Sequence, residues 1–208
     1  MTSPTEQHAV AEWAAGIFRT CRPAAIIAIE RLGPNVDGIL HYSTGVRPEG
    51  CVDLSPLFDE ARKHDVLSIG IGDNGNEIGF GRIHGFMQDF HPYGRRCQYD
   101  GGKGVPTIVA TDIFLPASIS NWGAYGICAM LAFLCKQQDL VQTPELERKI
   151  VTACLDAGGW EMRYCTSRFI VDGTEGESSM AIVQLLRDMV RVNIAPPDRG
   201  LSHGDIDR

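Results

Sequence analysis

Apolar residues along the chain follow two patterns, one typical of helices and one typical of buried strands. Within residues 6–20 they recur with the period of an amphipathic helix, whereas other stretches are short and apolar throughout. The periodic pattern predicts helices over 6–20, 55–64, 124–135, 145–157 and 178–193, and the apolar runs predict strands over 24–29, 66–71 and 106–111. Strands that alternate with helices predict an α/β fold, layered, with a mostly parallel sheet flanked by helices.

Length and composition favour one domain. The chain has 208 residues, of which 44% are apolar, so a normal core is available. We predict a single α/β domain over residues 1–195 and a polar C-terminal tail over 196–208.

Charge and cysteine usage exclude several classes of partner. The formal net charge is -7 without a run of Lys or Arg, which argues against nucleic acid and against a membrane surface. Seven cysteines without a C-x-x-C pair are typical of a reduced intracellular protein. The N-terminus has no apolar signal core, and the longest apolar stretch, 127–135, is too short to span a bilayer. We therefore expect a cytoplasmic protein, or one of the mitochondrial matrix if the source is eukaryotic.

A glycine-rich acidic loop follows the second predicted strand. Five glycines in residues 69–81 frame an Asp, two Asn and a Glu, and glycine permits close backbone approach. Carboxylate and amide oxygens are the donors that Mg²⁺, Mn²⁺ and Ca²⁺ prefer, so the loop indicates a shaped site. A tight surface turn is the alternative. The letters also fit G-x-G-x-x-G, but the later glycines disfavour the long helix of a dinucleotide site, and Asp73 and Glu77 would repel phosphate.

Acidic residues stand at the end of each predicted strand. Glu30, Asp73 and Asp112 occupy these positions, and sites in parallel sheets collect at the carboxyl ends of the strands. We therefore expect the three carboxylates to lie at one edge of the sheet. Each could instead cap a helix or a turn, and for Asp112 the two interpretations are equally open.

Several segments, in order along the chain, resemble the motifs of one enzyme family. They are Ile27-Ala28-Ile29-Glu30-Arg31 with Asp37-Gly38, the loop I-G-D-N-G-N-E-I-G-F-G from Ile71, Ser120-Asn121-Trp122-Gly123, and Asp156-Ala157-Gly158-Gly159 with Val171-Asp172-Gly173. These segments are similar to the C-terminal domain of D-glutamate cyclases, whose loop reads I-G-D-G-G-N-E-I-G-M-G. Asn74 and Phe80 depart from that pattern, as does the stretch 159–161. Family members also carry a further lobe before the first motif, which we expect this chain to lack.

The resemblance implies a hydro-lyase that converts D-glutamate to 5-oxo-D-proline and water. The γ-carboxylate is a poor electrophile with a poor leaving group, so a cation and paired carboxyl groups would both assist the reaction. We expect a divalent cation, Mg²⁺ or Mn²⁺, on Asp73 and Glu77. The other expected site residues are Glu30, Asp112 and Asn121 in catalysis, and Arg31, Asn76 and Trp122 in substrate binding.

Two further functions remain open at this point. One is a metal-dependent phosphatase that acts on a small phosphate ester, and the other is a non-catalytic domain that binds a metal ion or a small molecule. The expected partner is a small molecule, D-glutamate, and a homo-oligomer is a further possibility.

Overall fold

The computed structural model describes residues 3–99 and 102–194. The chain forms two compact units that divide between Gly123 and Ala124. The predicted tail over 196–208 lies outside the described residues, and a single domain over 1–195 stays a prediction.

A three-stranded parallel sheet lies at the centre of the first unit. Its strands stand in chain order, with β2 between β1 and β3, and Ile29 of β1 lies opposite Ile71 of β2. The elements of this unit are α1 (Val10–Cys21), β1 (Ala25–Ile29), α2 (Pro56–Lys63), β2 (Leu67–Gly72), α3 (His84–Phe90) and β3 (Ile113–Pro116). The parallel sheet with flanking helices confirms the predicted α/β layered fold.

The apolar face of α2 supplies the core on one side of the sheet. Phe58 of this helix packs with Ala28 of β1 and with Ile78 from the loop after β2. The helix also contacts α1, β1 and β2. Because Ile78 belongs to the glycine-rich loop, the same core that stabilises the sheet also fixes that loop.

The third strand is displaced from its predicted position. The apolar run 106–111 was expected to enter the sheet, but β3 begins at Ile113. The backbone of the run pairs elsewhere: Thr107 N–H donates to the Gly75 carbonyl at 3.0 Å, and the Val109 carbonyl accepts from Gly79 N–H at 2.8 Å. The predicted strand is therefore wrong, since the run is buried against the glycine-rich loop rather than between strands.

The second unit is mainly helical. The helix α4 (Ser120–Cys135) begins in the first unit and continues into the second, which also contains α5 (Pro144–Asp156), β4 (Ile170–Val171), β5 (Thr174–Glu175) and α6 (Gly176–Ile194). Its core contains Ala129, Ala132, Val141 and Val190. Asp172 and Gly173 both have positive φ and form the turn that joins the antiparallel pair β4 and β5.

None of the helices in 3–99 and 102–194 is both long enough and apolar enough to cross a membrane.

Candidate active site

The glycine-rich loop leaves the carboxyl end of β2 and folds back over that strand. A Cβ at Gly70 would lie 2.4 Å from the Ile78 carbonyl oxygen, and a Cβ at Gly72 would lie 2.8 Å from the Glu77 Cβ. Real Cβ atoms do not approach other atoms this closely, so the two strand glycines allow the return of the chain. The loop is thereby held against β2 with Glu77 directly over Gly72.

Backbone pairs on both sides hold the loop in place. Ile78 N–H donates to the Arg31 carbonyl at 2.8 Å, and Gly33 N–H donates to the Asn76 carbonyl at 2.9 Å. On the other side the loop pairs with residues 107–109. A site built on a loop that is paired along both edges is pre-organised, as catalysis requires.

Glu77 is a buried carboxyl group, only 2% exposed. Its Oε2 accepts hydrogen bonds from Gly75 N–H at 2.9 Å and from Asn74 N–H at 3.3 Å. Burial raises the pKa of Glu77, while these backbone donors and a hydrogen bond with the Asp73 side chain act in the opposite direction. A hydrogen bond between two carboxyl groups requires a proton on one of them, and the raised pKa of Glu77 favours that group as its holder.

A pocket of about 300 Å³ opens beside this pair. It is lined by Ser43, Asp73, Asn74, Met87, Phe90, His91 and Pro92. Asp73 belongs to both the pair and the pocket, and Asn74 donates its side-chain amide to the Asp73 carboxylate. The volume lies at the small end of the range for small-molecule sites, which suits a ligand of the size of an amino acid.

His91 forms part of the pocket wall as a neutral imidazole. Burial lowers its pKa, and a hydrogen bond with the Ser43 backbone opposes that change. Its Nδ1 accepts from Tyr93 N–H at 3.0 Å. The contact with Ser43 joins the residue after α3 to the turn at 42–45, whereas the contact with Tyr93 is local.

The structure brings four of the predicted site residues to the carboxyl edge of the sheet. Glu30 follows β1, Asp73 and Glu77 follow β2, and Asn121 lies in the segment after β3. Ala117 N–H donates to the Gly72 carbonyl at 3.0 Å, which holds the segment after β3 beside the start of the loop. Glu30, Asp73 and Glu77 thus follow neighbouring strands of the sheet, and a shared site that includes Asn121 stays a prediction.

Two of the predicted substrate-binding residues are engaged within the protein. Asn76 is 3% exposed and donates its amide to the His41 carbonyl at 2.9 Å, while its Oδ1 is buried without a partner among the described residues. Arg31 Nη2 donates to the Val52 carbonyl at 2.5 Å. Neither side chain lines the pocket. These contacts indicate that both residues support the loop, and a direct role in substrate binding stays a prediction.

Trp122 lies in the first turn of α4, where its N–H donates to the Ile119 carbonyl at 2.9 Å. It is half-buried and does not line the pocket. The neighbouring Ser120 hydroxyl is buried without a hydrogen-bond partner among the described residues. A contact between Trp122 and a substrate stays a prediction.

Asp112 lies at the opposite edge of the sheet, which corrects its predicted position. It precedes β3 instead of following a strand, and its Oδ2 accepts from Ser68 N–H at 2.8 Å and from Ser68 Oγ–H at 2.7 Å, where β2 begins. These hydrogen bonds lower the pKa of Asp112. The carboxylate fixes the start of β2, as the alternative of a structural cap predicts.

An Asp112→Asn variant should therefore lose stability at neutral pH and keep the geometry of the site. Because the pKa of Asp112 is lowered in the folded protein, its contribution is present above the usual value of 3.8 and is lost as the pH falls through the folded value. Urea unfolding should show a difference between variant and wild type near neutral pH that shrinks in acid. An equal difference at both pH values would contradict this role.

The donor groups at the loop do not fit a cation held by protein ligands alone. Within 3–99 and 102–194, no group of three or more His, Cys, Asp or Glu residues is arranged to hold a metal ion. Glu77 Oε2 already accepts two backbone N–H groups, and its raised pKa disfavours the ionised form that a cation needs. We therefore derive no reaction step through a metal.

Comparison with known proteins identifies the family of this chain. The sequence matches the family described as D-glutamate cyclase-like, C-terminal, over residues 3–187. The chain belongs to this D-glutamate cyclase-like family. This match confirms the resemblance seen in the sequence motifs. The matched residues include the three-stranded sheet, the glycine-rich loop and the pocket.

A human protein named D-glutamate cyclase, mitochondrial, is similar to part of the chain. The two are 31% identical over 111 residues, which is 52% of this chain and 17% of the human protein. The match thus spans about one sixth of the length of that relative.

The sequence did not indicate the wall of the pocket. Met87, Phe90 and His91 lie in or directly after α3, in a stretch for which the sequence patterns predicted no element. The helix has only seven residues, and glycines flank it, so its periodicity is too short to detect. The spacing of Phe86 and Phe90, four residues apart and stacked at 5.3 Å, was the available signal.

Proposed function

We propose that this chain is a hydro-lyase that converts D-glutamate to 5-oxo-D-proline and water. Membership of the D-glutamate cyclase-like family supports the reaction class. The observation that carries the proposal is the hydrogen-bonded pair of Asp73 and Glu77 at the wall of a pocket for a small molecule. The reaction needs proton transfer in both directions, which such a pair supplies.

The proton balance of the reaction explains why a shared proton is useful. The ammonium group must lose a proton before its nitrogen attacks the γ-carboxyl carbon and forms the new C–N bond. The nitrogen then loses a second proton, and the C–O bond breaks as the departing oxygen leaves as water. Both protons that leave the nitrogen are therefore needed on that oxygen. A pair that accepts one proton while it donates another returns to its starting state at the end of each turnover.

The environments of the two carboxyl groups suggest different tasks. Glu77 is buried and its pKa is raised, so this group suits the donor of a proton to the departing oxygen. Asp73 is half-buried and lines the pocket, so it suits the acceptor of a proton from the amine. Glu30 and Asn121 at the same edge of the sheet are proposed to orient substrate oxygens.

A divalent cation remains a separate prediction from the sequence. If Mg²⁺ or Mn²⁺ takes part, Asp73 and Glu77 would hold it together with water and substrate oxygens, as Mg²⁺ sites commonly do. Such an ion would polarise the γ-carboxylate. Turnover measured with chelator and after return of Mn²⁺ or Mg²⁺ tests it: activity that stops with chelator and recovers supports the ion, whereas unchanged activity removes it.

Proton NMR of D-glutamate incubated with the purified chain tests the proposed reaction. We expect signals of 5-oxoproline to appear while those of glutamate decline. Well-folded protein that binds D-glutamate without forming product would instead indicate a binding domain. Release of phosphate from small phosphate esters would indicate a phosphatase, but the described pocket wall has no Arg or Lys for a phosphate group.

A further inference from the structure

The pocket beside the acidic loop has the composition of a cation site for an organic ligand. Among its described lining residues, Asp73 is the one that carries a formal charge at neutral pH, and neither Arg nor Lys takes part. His91 adds no charge because burial lowers its pKa. The rest of the wall is largely apolar, from Met87, Phe90 and Pro92. A carboxylate would be repelled here, whereas a positively charged group would be attracted.

An aromatic face lies beside the carboxylate in this wall. Phe90 is 71% exposed although it lines the pocket, and its ring stacks on the ring of Phe86 at an interplanar angle of 16°. A cation placed between a carboxylate and an aromatic face is stabilised by both groups.

Met87 packs helix α3 against the glycine-rich loop. Met87 is buried, and its side chain lies against Gly75, where an added Cβ would be 2.5 Å from the Met87 Cε. Helix α3 is therefore packed directly on the loop that carries Asp73. The loop and the helix therefore carry the carboxylate and the ring on two elements that pack together.

We propose that this pocket is an ammonium subsite, in which the Asp73 carboxylate and the Phe90 ring hold the amino group of an amino-acid substrate. This inference rests on the proposed function and deepens it, since it states which end of D-glutamate enters the pocket. The amino group is then next to the carboxyl pair that takes its proton. Both carboxylates of the substrate lie outside the pocket, towards the carboxyl edge of the sheet, away from the apolar wall.

The subsite predicts selection for the amine. D-glutamate and glutarate have the same two carboxylates, but glutarate lacks the amino group. We expect D-glutamate to bind about ten- to hundredfold more tightly to the wild-type protein, which is the range for a hydrogen bond to a charged group. Titrations followed on the Met87 methyl signal, assigned with a Met87→Leu variant, would locate both ligands in this pocket.

Substitution of Phe90 measures how much the aromatic ring contributes to the affinity for D-glutamate. Phe90→Leu should weaken D-glutamate binding about three- to fivefold, the usual range for an exposed cation–π contact, and leave glutarate binding unchanged. Phe90→Tyr, which keeps an aromatic face, should restore the affinity. Phe133→Leu is the matched control, because Phe133 lies in α4, is 44% exposed and does not line the pocket.

The outcomes distinguish the subsite from the reaction. Equal affinity for the two ligands, or equal losses for both in Phe90→Leu, would overturn the ammonium subsite even if 5-oxoproline forms. Preference for D-glutamate that depends on Phe90 supports the subsite even if no product appears, and in that case only the proposed reaction fails. Product is observed by proton NMR in the same samples, so both results come from one protein preparation.

Discussion

Replacement of Glu77 by Gln is expected to lower kcat for D-glutamate by about 10²- to 10⁴-fold, the usual contribution of a general acid or base. Gln has the same shape and its amide oxygen can still accept from Gly75 N–H and Asn74 N–H, the two donors that face Glu77 Oε2. It cannot share a proton with Asp73. The loss should therefore appear in kcat, measured by proton NMR of product formation, with little change in KM.

The same variant should remain folded. Because burial raises the pKa of Glu77, ionisation of this group costs stability as the pH rises from the usual range of Glu through the raised value. Gln removes that cost, so the free energy of unfolding at neutral pH should equal or exceed that of the wild type. Glu12→Gln, at an exposed position of α1, is the control for both measurements. Wild-type kcat in Glu77→Gln would contradict a catalytic role of the pair.

Replacement of Gly72 by Ala is expected to damage both the fold and the site. The new Cβ would lie 2.8 Å from the Glu77 Cβ and 2.9 Å from the Phe80 ring. Phe80 is itself held by Phe114 of β3, with ring centroids 4.5 Å apart, so it cannot move freely. Overpacking of this kind costs about 1–3 kcal/mol of stability. Because Glu77 must shift, we also expect turnover to fall by at least about tenfold, as small displacements of catalytic groups do.

A second glycine provides the matched control for Gly72→Ala. A Cβ at Gly85 in α3 would have no atom within 4 Å. Gly85→Ala should therefore keep turnover and raise the free energy of unfolding by about 0.5–1 kcal/mol, since Ala is favoured over Gly in a helix. Urea unfolding measures the stability of both variants, and the NMR assay measures their turnover. Gly72→Ala with wild-type stability and turnover would show that the loop does not need the close approach seen over β2.

Two strands of the sheet could be predicted from the sequence because each is a short apolar run. The runs that became β1 and β2 are apolar apart from Ser68, and their observed bounds lie within one residue of the predicted ones. The run 106–111 has the same apolar character, but Thr107 and Val109 pair with the glycine-rich loop. Periodicity reports burial and does not report which backbone partner provides it, so the third strand and the place of Asp112 were wrong.

Of the candidate site, only the part on the glycine-rich loop could be predicted from the sequence. The density of glycine and acidic residues after β2 indicates Asp73 and Glu77, because those residues are adjacent in sequence. The opposite wall is formed by Ser43 and by residues at the end of α3, which the fold brings together from distant positions. No local pattern carries that information, since it depends on how α3 packs against Gly75 through Met87.

The proposed mechanism requires that Glu77 hold a proton in the buried pair. A carboxyl titration by ¹³C NMR with labelled glutamate measures the pKa of this group. We expect one glutamate signal whose pKa lies above the usual value of 4.5 and which is absent from the spectrum of the Glu77→Gln variant. Titration of the Glu77 signal at or below that value would show that the pair has no proton to donate, and would contradict the proposed mechanism.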